Sequence, residues 1–99
     1  SEINKTVKEI FRVLKPGGFF FTTLWGTKTS GYGTGLNLEE NTYTDIIDGP
    51  CKDMGVAHFF HELDLPTCFQ PLKLQRFTEV NRITEGKIYA QEYICIYKK

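Results

Sequence analysis

The chain has 99 residues with 12 basic and 12 acidic side chains, and it is 40% hydrophobic, 24% charged and 14% aromatic. This is the composition of one globular domain at most, outside the disordered range, with a core so small that stability is marginal. A formal net charge of zero supplies no field toward nucleic acid or an acidic membrane, and no apolar stretch approaches the ~20 residues that span a bilayer.

The chain opens on Ser1-Glu2-Ile3-Asn4-Lys5 with no initiator methionine, and an amphipathic pattern begins at once, so a preceding segment is expected. Ile3, Val7, Ile10, Phe11 and Leu14 share one helical face, with Glu2, Lys5, Lys8, Glu9 and Arg12 opposite, which predicts a helix over 2–14. Lys15-Pro16-Gly17-Gly18 stops it, because a residue before proline is pushed out of the helical region and glycine tolerates a tight turn. Over 18–25, Phe19-Phe20-Phe21-Thr22-Thr23-Leu24-Trp25 runs apolar and β-branched without alternation, the pattern of a strand buried on both faces of a sheet. Helix, turn and strand make the second half of a βαβ unit whose first strand is missing.

Residues 26–57 are rich in glycine, threonine, asparagine and aspartate and carry no sustained period. They predict a long loop or lid with at most a short element near Thr42 to Ile47. Pro66 limits a helix over 61–70 to one or two turns. Over 72–84 the alternation of Leu72 and Leu74 shifts to Phe77, Val80 and Ile83, a strand interrupted by a bulge. Glu85-Gly86-Lys87 turns the chain into a strand over 88–97, apolar on both faces and therefore interior to its sheet. The two form an antiparallel hairpin.

The run Glu9-Ile10-Phe11-Arg12-Val13-Leu14-Lys15-Pro16-Gly17-Gly18 followed at once by a hydrophobic strand resembles the segment before and through the fifth strand of class I S-adenosylmethionine-dependent methyltransferases. Glu40-Asn41-Thr42-Tyr43 and Ala57-His58-Phe59-Phe60 are similar to the loop and the approach to the final helix in small-molecule members. The terminal hairpin is similar to the family's reversed seventh strand, which lies between the fifth and sixth. The resemblance covers nearly all of the chain, and Pro66 departs from it. It implies an α/β fold, the C-terminal part of a Rossmann-like methyltransferase, with an N-terminal helix, about three strands and a short helix. It also implies that the glycine-rich turn and acidic residue that hold S-adenosylmethionine lie before residue 1, so no cofactor is expected on this chain.

Gly31-Tyr32-Gly33-Thr34-Gly35 has the spacing of a nucleotide-binding turn, but Gly26 to Ser30 separate it from the strand and no helix follows, so a flexible loop is expected. Trp25, at the carboxyl end of its strand, is placed to line a substrate pocket or simply to cover the sheet end. On the resemblance, Tyr43 and His58 join Trp25 as acceptor-side candidates. His58 and His61 are of the residue type that suits a general base, although a structural role is the commoner one for such a pair. Glu39, Glu40, Asp45, Asp48 and Asp53 read as solvated loop acids, and Lys98-Lys99 as a solvated tail.

Cys51, Cys68 and Cys95 are odd in number and far apart, with neither CxxC spacing nor neighbouring histidines. They read as reduced thiols, with no metal site, in a cytoplasmic protein. Two functions follow: part of a methyltransferase, inactive alone, or a non-catalytic module. For the second, the strand from Phe19 to Leu24 loses a sheet neighbour, and its open edge is expected to pair with a second copy into a six-stranded sheet. A ligand-binding accessory domain is a third reading, resting on the long loop and Trp25.

Overall fold

A computed structural model describes residues 2–99. The chain begins with helix α1, Glu2–Val13. Its apolar stripe lies on the sheet, with Val7 buried and Ile3, Ile10, Phe11 and Leu14 packed around the same core. Gly17 takes a φ of 79°, and the amide of Gly18 donates to the Lys15 carbonyl at 2.8 Å, closing the turn that ends the helix. Lys99 is not a solvated tail. Its Nζ donates to the carbonyls of Phe11 and Leu14, the latter at 2.8 Å, and stands 4.4 Å from the Phe11 ring. The ammonium thereby satisfies carbonyls left without partners at the helix end.

The strands are β1 (Phe19–Gly26), β2 (Leu36–Glu39), β3 (Thr42–Thr44), β4 (Ala57–Phe60), β5 (Lys73–Thr84) and β6 (Lys87–Lys98), forming one sheet in the order β2-β3-β4-β1-β6-β5. β6 lies between β1 and β5 and is antiparallel to both, its register with β1 running from Phe19↔Lys98 to Trp25↔Glu92. The β5–β6 register shifts between Leu74 and Arg76 and again between Arg82 and Ile83, which is where the apolar alternation of β5 breaks.

Three expectations are corrected. The sheet has six strands rather than about three, because the segment expected as a loop over 26–57 contains β2 and β3 and runs into β4. These strands are three or four residues long, too short to show a period. They are held down by close backbone approach: a side chain on Gly31 would stand 2.8 Å from the Ile46 methyl, and one on Gly49 would run into Ser30. The expected helix over 61–70 is only a 3-10 turn, Glu62–Asp64, followed by hydrogen-bonded turns such as Cys68 N–H to the Asp64 carbonyl at 2.8 Å. Pro66 cannot extend a helical ladder.

The third correction concerns β1. The chain supplies a parallel neighbour itself, since β4 pairs with β1 at Trp25↔Phe59 and Gly26↔Phe60. Along Phe19 to Leu24 that side has no paired strand among the described residues. Nor is β1 buried on both faces. Phe20 and Leu24 point to the α1 side and its core, whereas Phe21 is 67% exposed and Ile94, opposite Thr23, 44%. A single helix covers a single face.

The core on the α1 side gathers Val7, Leu24, Phe60, Leu65, Phe69, Leu72, Tyr93, Cys95 and Tyr97. A second cluster, Ile46, Cys51, Ala57 and Phe59, lies under the inserted strands.

Candidate functional site: a cleft at the carboxyl end of β1

β1 and β4 pair at Trp25 and Gly26, and the Thr27 amide just beyond donates to the Phe60 carbonyl at 3.2 Å. Below that contact they part, and the gap is a cleft of about 360 Å³ closed on one side by Ile3 and Thr6 of α1. Thr23, Leu24 and Trp25 line it consecutively, so it opens on the edge of β1 rather than on one face. Across from them stand Val56, His58 and Phe60, with Phe69 beneath. Among the described residues no carboxylate, ammonium or guanidinium lines the cleft. Its size and apolar walls with a few polar groups are those of a small-molecule site.

Of the residues picked out from the sequence, the structure brings Trp25 and His58 together in this cleft and leaves Tyr43 out of its lining. Tyr43 packs edge-on against Tyr32 and Phe59, with ring centroids 5.5 and 6.2 Å away, as part of the cluster under the inserted strands. His61 is exposed, its Nδ1 3.4 Å from the Thr27 hydroxyl, and is absent from the cleft wall. His58 is half-buried, and its Nδ1 lies 2.9 Å from the hydroxyl of Thr42, its cross-strand partner between β3 and β4. The same hydroxyl is 3.2 Å from the Glu40 carbonyl.

One residue that positions the cleft escaped sequence reasoning. Gln91 of β6 is 2% exposed. Its Oε1 accepts from the Lys28 amide at 2.9 Å, and its Nε2 donates to the Glu79 carboxylate at 3.2 Å. The Thr29 hydroxyl donates to the Gln91 carbonyl and accepts from the Gln91 amide, both at 3.0 Å. The segment that leaves β1 is thereby pinned beside β6, fixing the end of the strand that carries Trp25. A polar pair, Gln91-Glu92, between apolar runs of β6 was the available signal.

The thiols are free and not activated. Burial pushes the Cys95 thiol up to about 11 and raises Cys51 and Cys68 as well, the reverse of what a nucleophilic or metal-binding cysteine needs. Burial also raises Tyr97, whose hydroxyl donates to the Leu65 carbonyl at 2.7 Å and sits 3.6 Å from Cys68 Sγ. Among the described residues no group of three or more His, Cys, Asp or Glu is disposed to hold a metal.

The residues present do not fit a nucleoside sulfonium donor. Gly31, Gly33 and Gly35 have φ values of 96°, 85° and 73°, but the turn abuts the backbone of Thr44 to Asp48 and leads into β2 rather than a helix. Of the loop acids, Asp48 caps its own turn, accepting from Ser30 Oγ at 3.1 Å and from the Gly49 amide at 2.8 Å.

A reversed hairpin strand beside a strand that carries a crevice at its carboxyl end, with a helix packed on one face, defines an α/β protein of the open-sheet kind. No family model and no curated protein sequence matches the chain. Among solved structures, the crystal structure of a SAM-dependent methyltransferase from Methanosarcina mazei is similar, with a TM-score of 0.71 and 22% sequence identity over 99% of this chain and 51% of that one. The likeness is one of fold: the chain has a methyltransferase-like fold and spans about half the length of that structure.

Proposed function

We propose that the chain is the C-terminal, acceptor-side portion of a small-molecule methyltransferase that binds no S-adenosylmethionine and turns nothing over alone. The carrying observation is the coverage, 99% of this chain against 51% of its structural neighbour, together with a glycine turn that is packed against its own backbone. Methyl transfer depends chiefly on proximity and alignment, so an uncharged cleft that orients an acceptor and sheds water is a sufficient contribution. Free thiols and the lack of any long apolar helix among the described residues support a cytoplasmic protein. Isothermal titration of the chain with S-adenosylmethionine tests the reading: no saturable heat is expected, and saturable binding overturns it.

The alternative is a non-catalytic homodimer joined through the edge of β1 from Phe19 to Leu24. The specific observation in its favour is that, among the described residues, this edge has β6 on one side and no paired strand on the other, beside exposed Phe19 and Phe21. Light scattering at micromolar concentration decides it. A dimer that Phe21→Lys disperses supports the module, and a stable monomer removes it.

A further inference from the structure

His58 lines both the cleft beside Trp25 and an adjoining cavity of about 320 Å³, whereas Thr42 lines only the second. The imidazole therefore stands between them with its Nδ1 edge on Thr42. The Thr42 hydroxyl has one proton and two neighbours, the Glu40 carbonyl and His58 Nδ1, at 3.2 and 2.9 Å. A carbonyl only accepts, whereas a neutral imidazole nitrogen either donates or accepts. If the hydroxyl donated to Nδ1, the Glu40 carbonyl would lose its donor. Both contacts are satisfied only when the hydroxyl donates to Glu40 and His58 donates from Nδ1–H. In neutral imidazole that leaves a bare lone pair on Nε2, at the opposite edge of the ring.

We infer that Thr42 fixes His58 as the Nδ1–H tautomer with its Nε2 lone pair turned to the cleft, and that the cleft takes a neutral aromatic molecule carrying one hydroxyl or N–H donor. The inference rests on the acceptor-side reading and specifies its substrate class. The walls that the described residues form carry no formal charge, which disfavours ions desolvated without a partner. Trp25, Phe60 and Phe69 offer ring faces and edges to a flat ligand. A donor on that ligand is rewarded by the otherwise unmatched lone pair, and a ligand without one leaves a half-buried acceptor unpaired. Thr42 is a positioning residue, acting through His58.

The test uses the chain without methyl donor, at about pH 8.5, above the ordinary histidine range. Nitrogen-15 shifts of His58 report the tautomer, and emission of the single tryptophan, Trp25, reports binding. The wild type is expected to show Nδ1–H. Phenol should shift Trp25 emission and the His58 Nε2 resonance saturably, binding about 5-fold or more tighter than toluene, the discrimination expected of about one neutral hydrogen bond, with no response to benzoate. Thr42→Val should lose the tautomer preference and that discrimination, and Thr42→Ser should keep both. An Nε2–H tautomer in the wild type, or phenol binding no tighter than toluene, overturns the inference, and both readings need no variant to fold. A concentration-dependent Trp25 shift in the absence of phenol, signifying a second copy in the cleft, also overturns it. Saturable binding of S-adenosylmethionine, measured separately, would overturn the acceptor-side reading while leaving the phenol and tautomer results standing.

Discussion

Gly26→Ala isolates the contact that fixes the end of β1. The residue lies in a strand at no positive φ, so alanine is conformationally acceptable, and by reducing unfolded-state freedom it would ordinarily stabilise by about 0.4–1 kcal/mol. Here the added methyl would overlap the Gln91 amide and stand 2.7 Å from Gln91 Cγ. Gln91 has nowhere to retreat, being 2% exposed, and moving it strips the Lys28 amide of its acceptor and the Gln91 amide of Glu79. Two polar groups lose partners in a part-buried setting at about 1–3 kcal/mol each, so after the unfolded-state gain the net loss is about 1–5 kcal/mol. For a chain of this size 2 kcal/mol lowers Tm by about 10 °C. Urea unfolding followed by Trp25 emission measures it. Gln91→Ala should cost a similar amount, and the double variant about as much as either alone, a coupling of about 2 kcal/mol. Gly26→Ala within about 0.5 kcal/mol of wild type, the range of an ordinary surface change, or strictly additive losses, would refute the reasoning.

Tyr97→Phe removes the donor to the buried Leu65 carbonyl while keeping the ring packed on Phe69, and should destabilise by about 1–2 kcal/mol in denaturant titration. Alkaline pH should destabilise through Cys95: the unfolded thiol ionises near 9.0 and the folded one at about 11, so the unfolded state binds fewer protons across that interval. The stabilisation is whole below pH ~9 and is lost by pH ~11, at most roughly 2–3 kcal/mol. Cys95→Ala should flatten the slope of stability against pH, Cys68 and Tyr97 retaining a residue of it in the same direction. Lys99→Met removes the ammonium over the last carbonyls of α1 and should cost about 0.5–1.5 kcal/mol with reduced ellipticity at ~222 nm.

How far the sequence reveals this molecule depends on whether the relevant interactions are local. The face of α1, the Pro16-Gly17 stop, the run of β1 and the hairpin with its bulge are written in residues near one another in the chain, and period and turn chemistry bring them out. The inserted strands are not, because Thr42–Thr44 and Leu36–Glu39 have too few residues for a period. They exist because Tyr32, Tyr43 and Phe59 meet across the insertion. Tyr43, an acceptor-side candidate on the resemblance alone, packs in that cluster.

The candidate site divides along the same line. Trp25 could be found from its position at a strand end, since carboxyl ends of open sheets carry crevices whatever the details. His58 could be found only as a titratable residue in an apolar run, and what gives it a direction is Thr42, sixteen residues away in the chain and brought opposite by the β3–β4 pairing. Of the segment that read as a lid, Val56 joins His58 and Phe60 of β4 in the wall opposite β1. β4 sets the shape of the opening as well: its two-residue contact with β1 closes the top of the strand's edge and leaves the stretch below free. A strand added along Phe19 to Leu24 and a ligand beside Thr23 would compete for one space. Dimerisation and ligand binding through this edge are therefore mutually exclusive, and a molecule that fills the cleft should shift any dimer toward monomer.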